Sequence, residues 1–360
     1  MNPFSPLYYI SKNRMKCAPL IFLIFLCYGV YLGGLYVTNA RDNWTTAIEY
    51  EDHYVTVANI NSIGYDRFLK NAEASGKIDI IPLAGSNGLL WNTVMGFENG
   101  SIGLSFKNAE DFRRYCQYLE IDCNFSLLKP GTMVMSSMLA KNKGYSIGDK
   151  LDHRKEENIV SDMEFELVAL TNENGYFSYF ITGEDNYDQM SLLIGKSISK
   201  NELCKIVFDL NKNDDVLIIA PLETQISEQF EIMNVIYVFI VLLLSVIMAV
   251  TVNSAFVYVY QGRTCEFAVF RAIGISKNRM IAKIAGELLL MDLAALIGGG
   301  AVFFLILYFL NHLVLYPCGM YLCYYDPVSL ISLMICNSII ILPLIITRSR
   351  QMLKADVCDY

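Results

Sequence analysis

Residues 261–283 read QGRTCEFAVFRAIGISKNRMIAK, with five basic side chains (Arg263, Arg271, Lys277, Arg279 and Lys283) against one acid, Glu266. The stretch has helical periodicity and is wedged between two apolar runs, each long enough to cross a bilayer. Loops rich in Lys and Arg beside membrane spans stay on the cytoplasmic side. The segment is therefore expected to be a compact cytoplasmic elbow, a place where an intracellular partner can grip a membrane protein.

The rest of the chain fits around that elbow. With 54% hydrophobic residues and a mean hydropathy of +0.36, it is too apolar for an ordinary soluble enzyme of this size. Four runs approach or exceed the ~20 residues that cross a hydrocarbon core. They fall at 18–40, 231–260, 285–315 and 328–347. Residues 41–230 between the first two hold 17 basic and 29 acidic groups, a net of −12, whereas all other residues together sum to +4. Outside that block the basic residues cluster before the first run (Lys12, Arg14, Lys16), in the elbow at 261–284, and after the fourth run (Arg348, Arg350, Lys354). The stretch 311–327 has no Lys or Arg. The positive-inside rule then places 1–17, the elbow and 348–360 in the cytoplasm, and 41–230 and the loop 316–327 outside. A cleaved signal peptide is the competing reading of the first run. Its core is longer than a signal h-region and no A-x-A site follows, so an uncleaved span is preferred.

The outer block reads as mixed α/β. Tyr54 to Ile60 alternates like a strand, Asp66 to Ser75 has a helical period stopped by Gly76, and Asp79 to Leu83 returns as a strand. Ile102 to Phe106 is a further strand, and Ala109 to Leu119 an amphipathic helix. Strands are also expected at Phe165 to Leu170, Tyr176 to Thr182, Ser191 to Ile194, Ile206 to Phe208 and Val216 to Ala220. Two lobes, 43–130 and 131–222, are the expected arrangement, and a helix starting after Pro221 should run unbroken into the second span. The fold class is thus an α-helical membrane protein with four transmembrane helices and a large mixed α/β extracytoplasmic domain between helices 1 and 2.

Sequence chemistry excludes several functions. There is no G-x-x-x-x-G-K-[ST] loop, no nucleophile elbow, and the three histidines are scattered. No catalytic residue, metal or cofactor is expected on this chain, and no nucleic-acid partner. Ten cysteines make no framework. Cys116 with Cys123 and Cys318 with Cys323 are close pairs whose disulfide state stays open.

The elbow and its flanks resemble the MacB/FtsX family of ABC transporter permeases. The resemblance rests on Asn253 late in the second run, then Arg263, Glu266, Phe267, Val269, Arg271, Ala272 and Gly274. It also rests on Glu287 followed by Gly298, Gly299 and Gly300, on SSMLAKNKGYSIGDKL in the outer block, and on the closing LKADVCDY. Asp292 within the third run and Cys265 in the elbow depart from the family pattern. The resemblance implies a permease paired with a separate cytoplasmic ABC ATPase, which would carry ATP and Mg. It also implies a homodimer or a pseudo-symmetric heterodimer in the lipid bilayer.

On that reading the elbow is an ATPase-coupling helix. Phe267, Phe270 and Ile273 or Gly274 would form an apolar ridge for a groove on the partner, with Arg263 and Arg271 flanking it as donors. Glu266 would pair with Arg263 or with a partner arginine. The competing reading lays the elbow flat on anionic headgroups. For Asp292 two readings stand: a polar contact across the dimer or with Asn253, and an interfacial or protonated carboxyl. The glycine cluster is expected to permit close helix packing. The cargo expected is a peptide, lipoprotein or lipophilic toxin. The alternatives are an FtsX-like regulator of a cell-wall hydrolase and a membrane-anchored receptor.

Overall fold

The computed structural model describes residues 18–86, 88–94, 96–151, 163–183 and 190–354. The expected cytoplasmic segment 1–17 and the end of the tail, 355–360, lie outside the described residues. The chain forms two compact units. One holds residues up to Thr38, Glu231–Leu310 and those from Leu322 onward; the other holds Asn39–Phe230 and Asn311–Tyr321.

Helix α1 (Ala18–Asp42) is followed by α2 (Thr45–Glu51), β1 (Tyr54–Asn59), α3 (Ser62–Ala74) and β2 (Ile78–Gly85). A small hairpin of β3 (Leu90–Asn92) and β4 (Glu98–Gly100) precedes β5 (Ile102–Phe106) and α4 (Ala109–Tyr118). Then come β6 (Thr132–Ser136), α5 (Ser137–Lys143), β7 (Glu166–Thr171), β8 (Phe177–Ile181), β9 (Met190–Gly195), α6 (Lys200–Leu210) and β10 (Val216–Ile218). The long helices α7 (Leu222–Gln261), α9 (Lys277–Leu310) and α10 (Pro327–Lys354) follow, with the short α8 (Thr264–Ala272) between the first two.

The α/β unit is built on one main sheet, with the β3–β4 hairpin apart from it. Its eight strands run β10-β1-β9-β2-β5-β8-β6-β7, so strands from both expected lobes interleave. Neighbours are antiparallel except β5 with β8 and β6 with β7. Strand alternation puts Leu83, Leu104, Phe106, Val134, Tyr179, Leu192 and Ile194 on one face, where Phe112, Tyr115 and Cys116 of α4 close a single core. The opposite face carries two separate clusters. Val55, Val57 and Leu193 pack with Tyr65 and Phe68 of α3 and with Leu203 and Val207 of α6. Met133, Met135, Leu167 and Phe180 pack with Leu139 of α5 and with Trp91. Between these clusters Gly103 and Ser178 pair side by side, too small to bridge them. The sequence looks two-lobed because one face of a continuous sheet is.

Ile206 to Phe208 is helical, not extended. The Ser199 side chain accepts from the Glu202 amide at 3.3 Å, capping α6, and Leu203 and Val207 bury one helical face four residues apart. The short apolar run IVF fits either period, and the cap decides it. Beyond α9 the chain makes a π-turn (Asn311–Leu315) and a 3-10 turn (Tyr316–Cys318). These residues belong to the α/β unit: Tyr176 donates its hydroxyl to the Gly319 carbonyl at 3.0 Å, and Asn142 donates to that of Cys318 at 3.3 Å.

Among the described residues, three helical stretches are long and apolar enough to cross a membrane: Leu222–Gln261, Lys277–Cys318 and Pro327–Leu353. They leave large side chains such as Val235, Phe239, Val250, Ile297 and Ile331 outward, each more than half exposed. Outward-facing apolar side chains along these lengths suit a hydrocarbon solvent and would be untenable in water. The protein is membrane-embedded.

Candidate functional site

The elbow is a nine-residue helix, α8, bounded by the non-helical stretches 262–263 and 273–276. At its end Gly274 adopts φ +86°. The Gly274 amide donates to Arg271 O at 2.9 Å, and that of Ile275 to Phe270 O at 3.1 Å. This is the Schellman pattern, in which a left-handed glycine satisfies the last carbonyls of a helix. The basic residues beyond it, Lys277, Arg279 and Lys283, belong to the opening turns of α9.

Four charges close together on the inner side of α8. Arg263 meets Glu287 at 2.7 and 3.2 Å and Glu266 at 2.9 and 3.3 Å. Lys283 meets Glu287 at 3.3 Å and Glu266 at 3.7 Å. Each acid therefore touches both bases. The Arg263, Lys283 and Glu287 side chains are no more than 4% exposed, while that of Glu266 is 36% exposed. The Arg263 guanidinium also stacks 5.1 Å from the Phe267 ring centre and 5.3 Å from that of Tyr260. Lys283 Nζ lies 5.4 Å from the ring centre of Phe270. With two positive and two negative groups the cluster is neutral, which is what makes its burial tolerable. Removing one member strands a buried charge, at a cost on the order of 3–5 kcal/mol.

This geometry revises the expected ridge. Phe267 is fully buried and cannot fill a partner's groove, and Arg263 is turned into the cluster, not toward a partner. The expected Arg263–Glu266 pair is present, joined by Glu287 and Lys283, neither of which the sequence linked to it. Arg271 donates to the carbonyl of Leu353 at 3.2 Å, placing a cation at the C-terminus of α10, where the helix dipole favours it. The apolar surface that α8 presents outward is Val269 (53% exposed) and Ile273 (72%), with Ala272 beside them and exposed Lys277 and Arg279 following. Phe270 and Gly274 flank this face, half-buried and exposed respectively.

The remaining polar positions find partners within the helical unit. Asp292 does not meet Asn253: its Oδ2 accepts from Asn337 Nδ2 of α10 at 2.9 Å. Asn253 instead accepts from the Thr347 hydroxyl at 2.8 Å and from Arg348, also on α10. Asp292 is 6% exposed. Of the glycines, Gly299 and Gly300 pack on Tyr28 of α1, whose hydroxyl donates to Leu296 O at 2.8 Å. A Cβ on Gly300 would lie 2.6 Å from that hydroxyl, whereas one on Gly298 would meet nothing within 4 Å. Asn337, Arg348 and Tyr28 were invisible as site residues because their partners lie 45 or more positions away.

Residues 236–352, which include the elbow, the charge cluster and α10 nearly to its end, match the family model for the FtsX-like permease C-terminal domain. Over those residues the chain is an FtsX-like permease C-terminal domain. No curated relative matches the sequence. Among solved structures, the chain is similar to a crystallised domain assigned to a permease protein from Porphyromonas gingivalis. That match has 10% identity and a TM-score of 0.27 over 48% of this chain and 93% of the other. A score so low carries no argument.

Proposed function

We propose that this FtsX-like permease is the membrane-spanning subunit of an ABC transporter of the MacB-like kind, driven by ATP hydrolysis on a separate cytoplasmic subunit. In this reading α1 is a fourth span, and the elbow and both termini are cytoplasmic. The α/β unit is extracytoplasmic, and two permease chains pair with two ATPases. ATP and Mg belong to the ATPase, and the chain itself catalyses nothing. Its work is conformational: displacement of α8 by the closing ATPase reaches the α/β unit through the spans, moving a peptide, lipoprotein or lipophilic toxin at the outer leaflet. The 40-residue α7 is unbroken, about 60 Å long and twice the ~30 Å hydrocarbon core, which supports mechanical transmission over channel conduction.

One observation carries the proposal. α8 exposes Val269 and Ile273 beside Lys277 and Arg279, an apolar anchor with a basic rim, as a groove-docking helix requires. The test is co-purification from native membranes followed by mass spectrometry. The parent chain should bring down an ATP-hydrolysing partner, and the double substitution Val269→Asp with Ile273→Asp should lose it while still inserting into the membrane. Undiminished recovery with the double variant, or no ATPase with the parent, defeats the reading.

A further inference from the structure

The charge cluster has a position that its neutrality alone does not explain. α8 is joined covalently to α9 at its C-terminal end, through the turn 273–276 with Gly274 in the left-handed region. The four charges join the same two helices again at the other end of α8. Arg263 immediately precedes α8 and Glu266 lies in its first turn, while Lys283 and Glu287 lie two to three turns into α9. Without these four charges α8 would be joined to α9 by one glycine turn and to α7 by Gly262 and Arg263 alone, joints about which a short helix swings. Clamped to α9 at both ends, it cannot rotate without breaking ion pairs in which three of the four side chains are no more than 4% exposed. Because each acid contacts both bases, no single rotamer change releases the arrangement, and Phe267 and Phe270 under the two cations fill the space between.

We propose that Arg263, Glu266, Lys283 and Glu287 form an electrostatic clamp that makes α8 and α9 one rigid lever. They are positioning residues: a push on the outer face of α8 goes into α9 instead of being absorbed by backbone rotation at Gly274. This rests on the reading of α8 as the ATPase-driven surface and names how that surface is held. Ion pairs suit the task better than apolar packing, because apolar contacts slide with little loss whereas a four-membered charge ring fixes register.

The clamp is testable by the distance between two spin labels, one on Cys265, which is exposed on α8, and one at Ile297→Cys on α9, where the native side chain is 67% exposed. The other cysteines are replaced by serine, and the full-length chain is studied in lipid nanodiscs with and without its ATPase and ATP. With the labelled chain diluted into unlabelled parent, so that only the distance within one chain is read, the parent should give one narrow distance that nucleotide does not change. Glu287→Gln, nearly isosteric, should broaden the distribution by about twofold or more while the ATPase still co-purifies. Glu266→Gln, at the 36% exposed corner, should broaden it less and decides the matter if the first variant does not insert. A parental width in both variants, or a parental distance that shifts with ATP, overturns the clamp. Should the parent retain no ATPase, the coupling reading fails, and the widths measured without ATPase still decide whether the clamp exists.

Discussion

Glu287 and Asp292 stand five positions apart on α9, and their surroundings give them different characters. Glu287 lies between two cations. Asp292 has an amide from Asn337, and its Oδ1 and the Asn337 Oδ1 are buried without hydrogen-bond partners among the described residues. Asn337→Leu should therefore destabilise the protein by about 1–3 kcal/mol, seen as a lower melting temperature in detergent, and combining it with Asp292→Leu should recover much of the loss. A third buried acid, Glu173 in the α/β unit, escaped sequence reading because nothing in TNENGYF marks it. Its Oε1 accepts from the Tyr179 hydroxyl at 2.6 Å and its Oε2 from that of Thr171 at 2.5 Å. Burial raises its carboxyl above the ordinary 4.5, and these hydroxyls reverse the rise only in part. The folded chain then holds the proton more tightly than the unfolded one. Its contribution to stability is greatest below pH 4.5 and falls as pH climbs from there to the raised folded value. Melting temperatures measured from pH 4 to 8 should show this decline in the parent and a shallower one in Glu173→Gln; identical slopes would refute it.

At the scale of elements, caps and periods were legible where they were local. α4 announces itself by period and length, and β5 spans the five residues that alternation marks. α6 was misread because its apolar run is too short to distinguish periods 2 and 3.6, while its cap, Ser199, sits seven residues upstream of Ile206. Ser199→Ala should cost about 1 kcal/mol, measurable as a shift in the urea midpoint. α8 was legible as a helix, but not the direction of its faces. A nine-residue helix with apolar residues at 267, 269 and 270, and at 273 in its C-cap, offers two candidate stripes, and only the packing chooses between them. Gly274→Ala places a side chain at φ +86° and should cost about 1–2 kcal/mol. With no Cβ neighbour within 4 Å there, the loss would come from backbone strain and not from a clash.

At the scale of the whole molecule, the loop after α9 belongs to the α/β unit even though it is remote in sequence. Gly319, at φ +63°, lies against α5: a Cβ would come within 2.2 Å of the Met138 carbonyl and 2.8 Å of the Asn142 amide. Gly319→Ala should therefore release the stretch 311–321, read out as faster limited proteolysis there with the helical unit intact; unchanged cleavage would refute the docking. Hydropathy, charge asymmetry and strand alternation are sums over neighbouring residues, so the sequence by itself determined the apolar helices, the basic elbow and the α/β character of residues 41–230. Pairing is different. β5 lies beside β8 some 75 residues on, and Arg263 finds Glu287 24 residues away. The order of the single sheet, the partners of Asp292 and Asn253, the neutral charge ring and the outward face of α8 were decided only by the tertiary structure. Local patterns specify which groups need burial or a partner. Only long-range packing selects which of several chemically equivalent partners arrives.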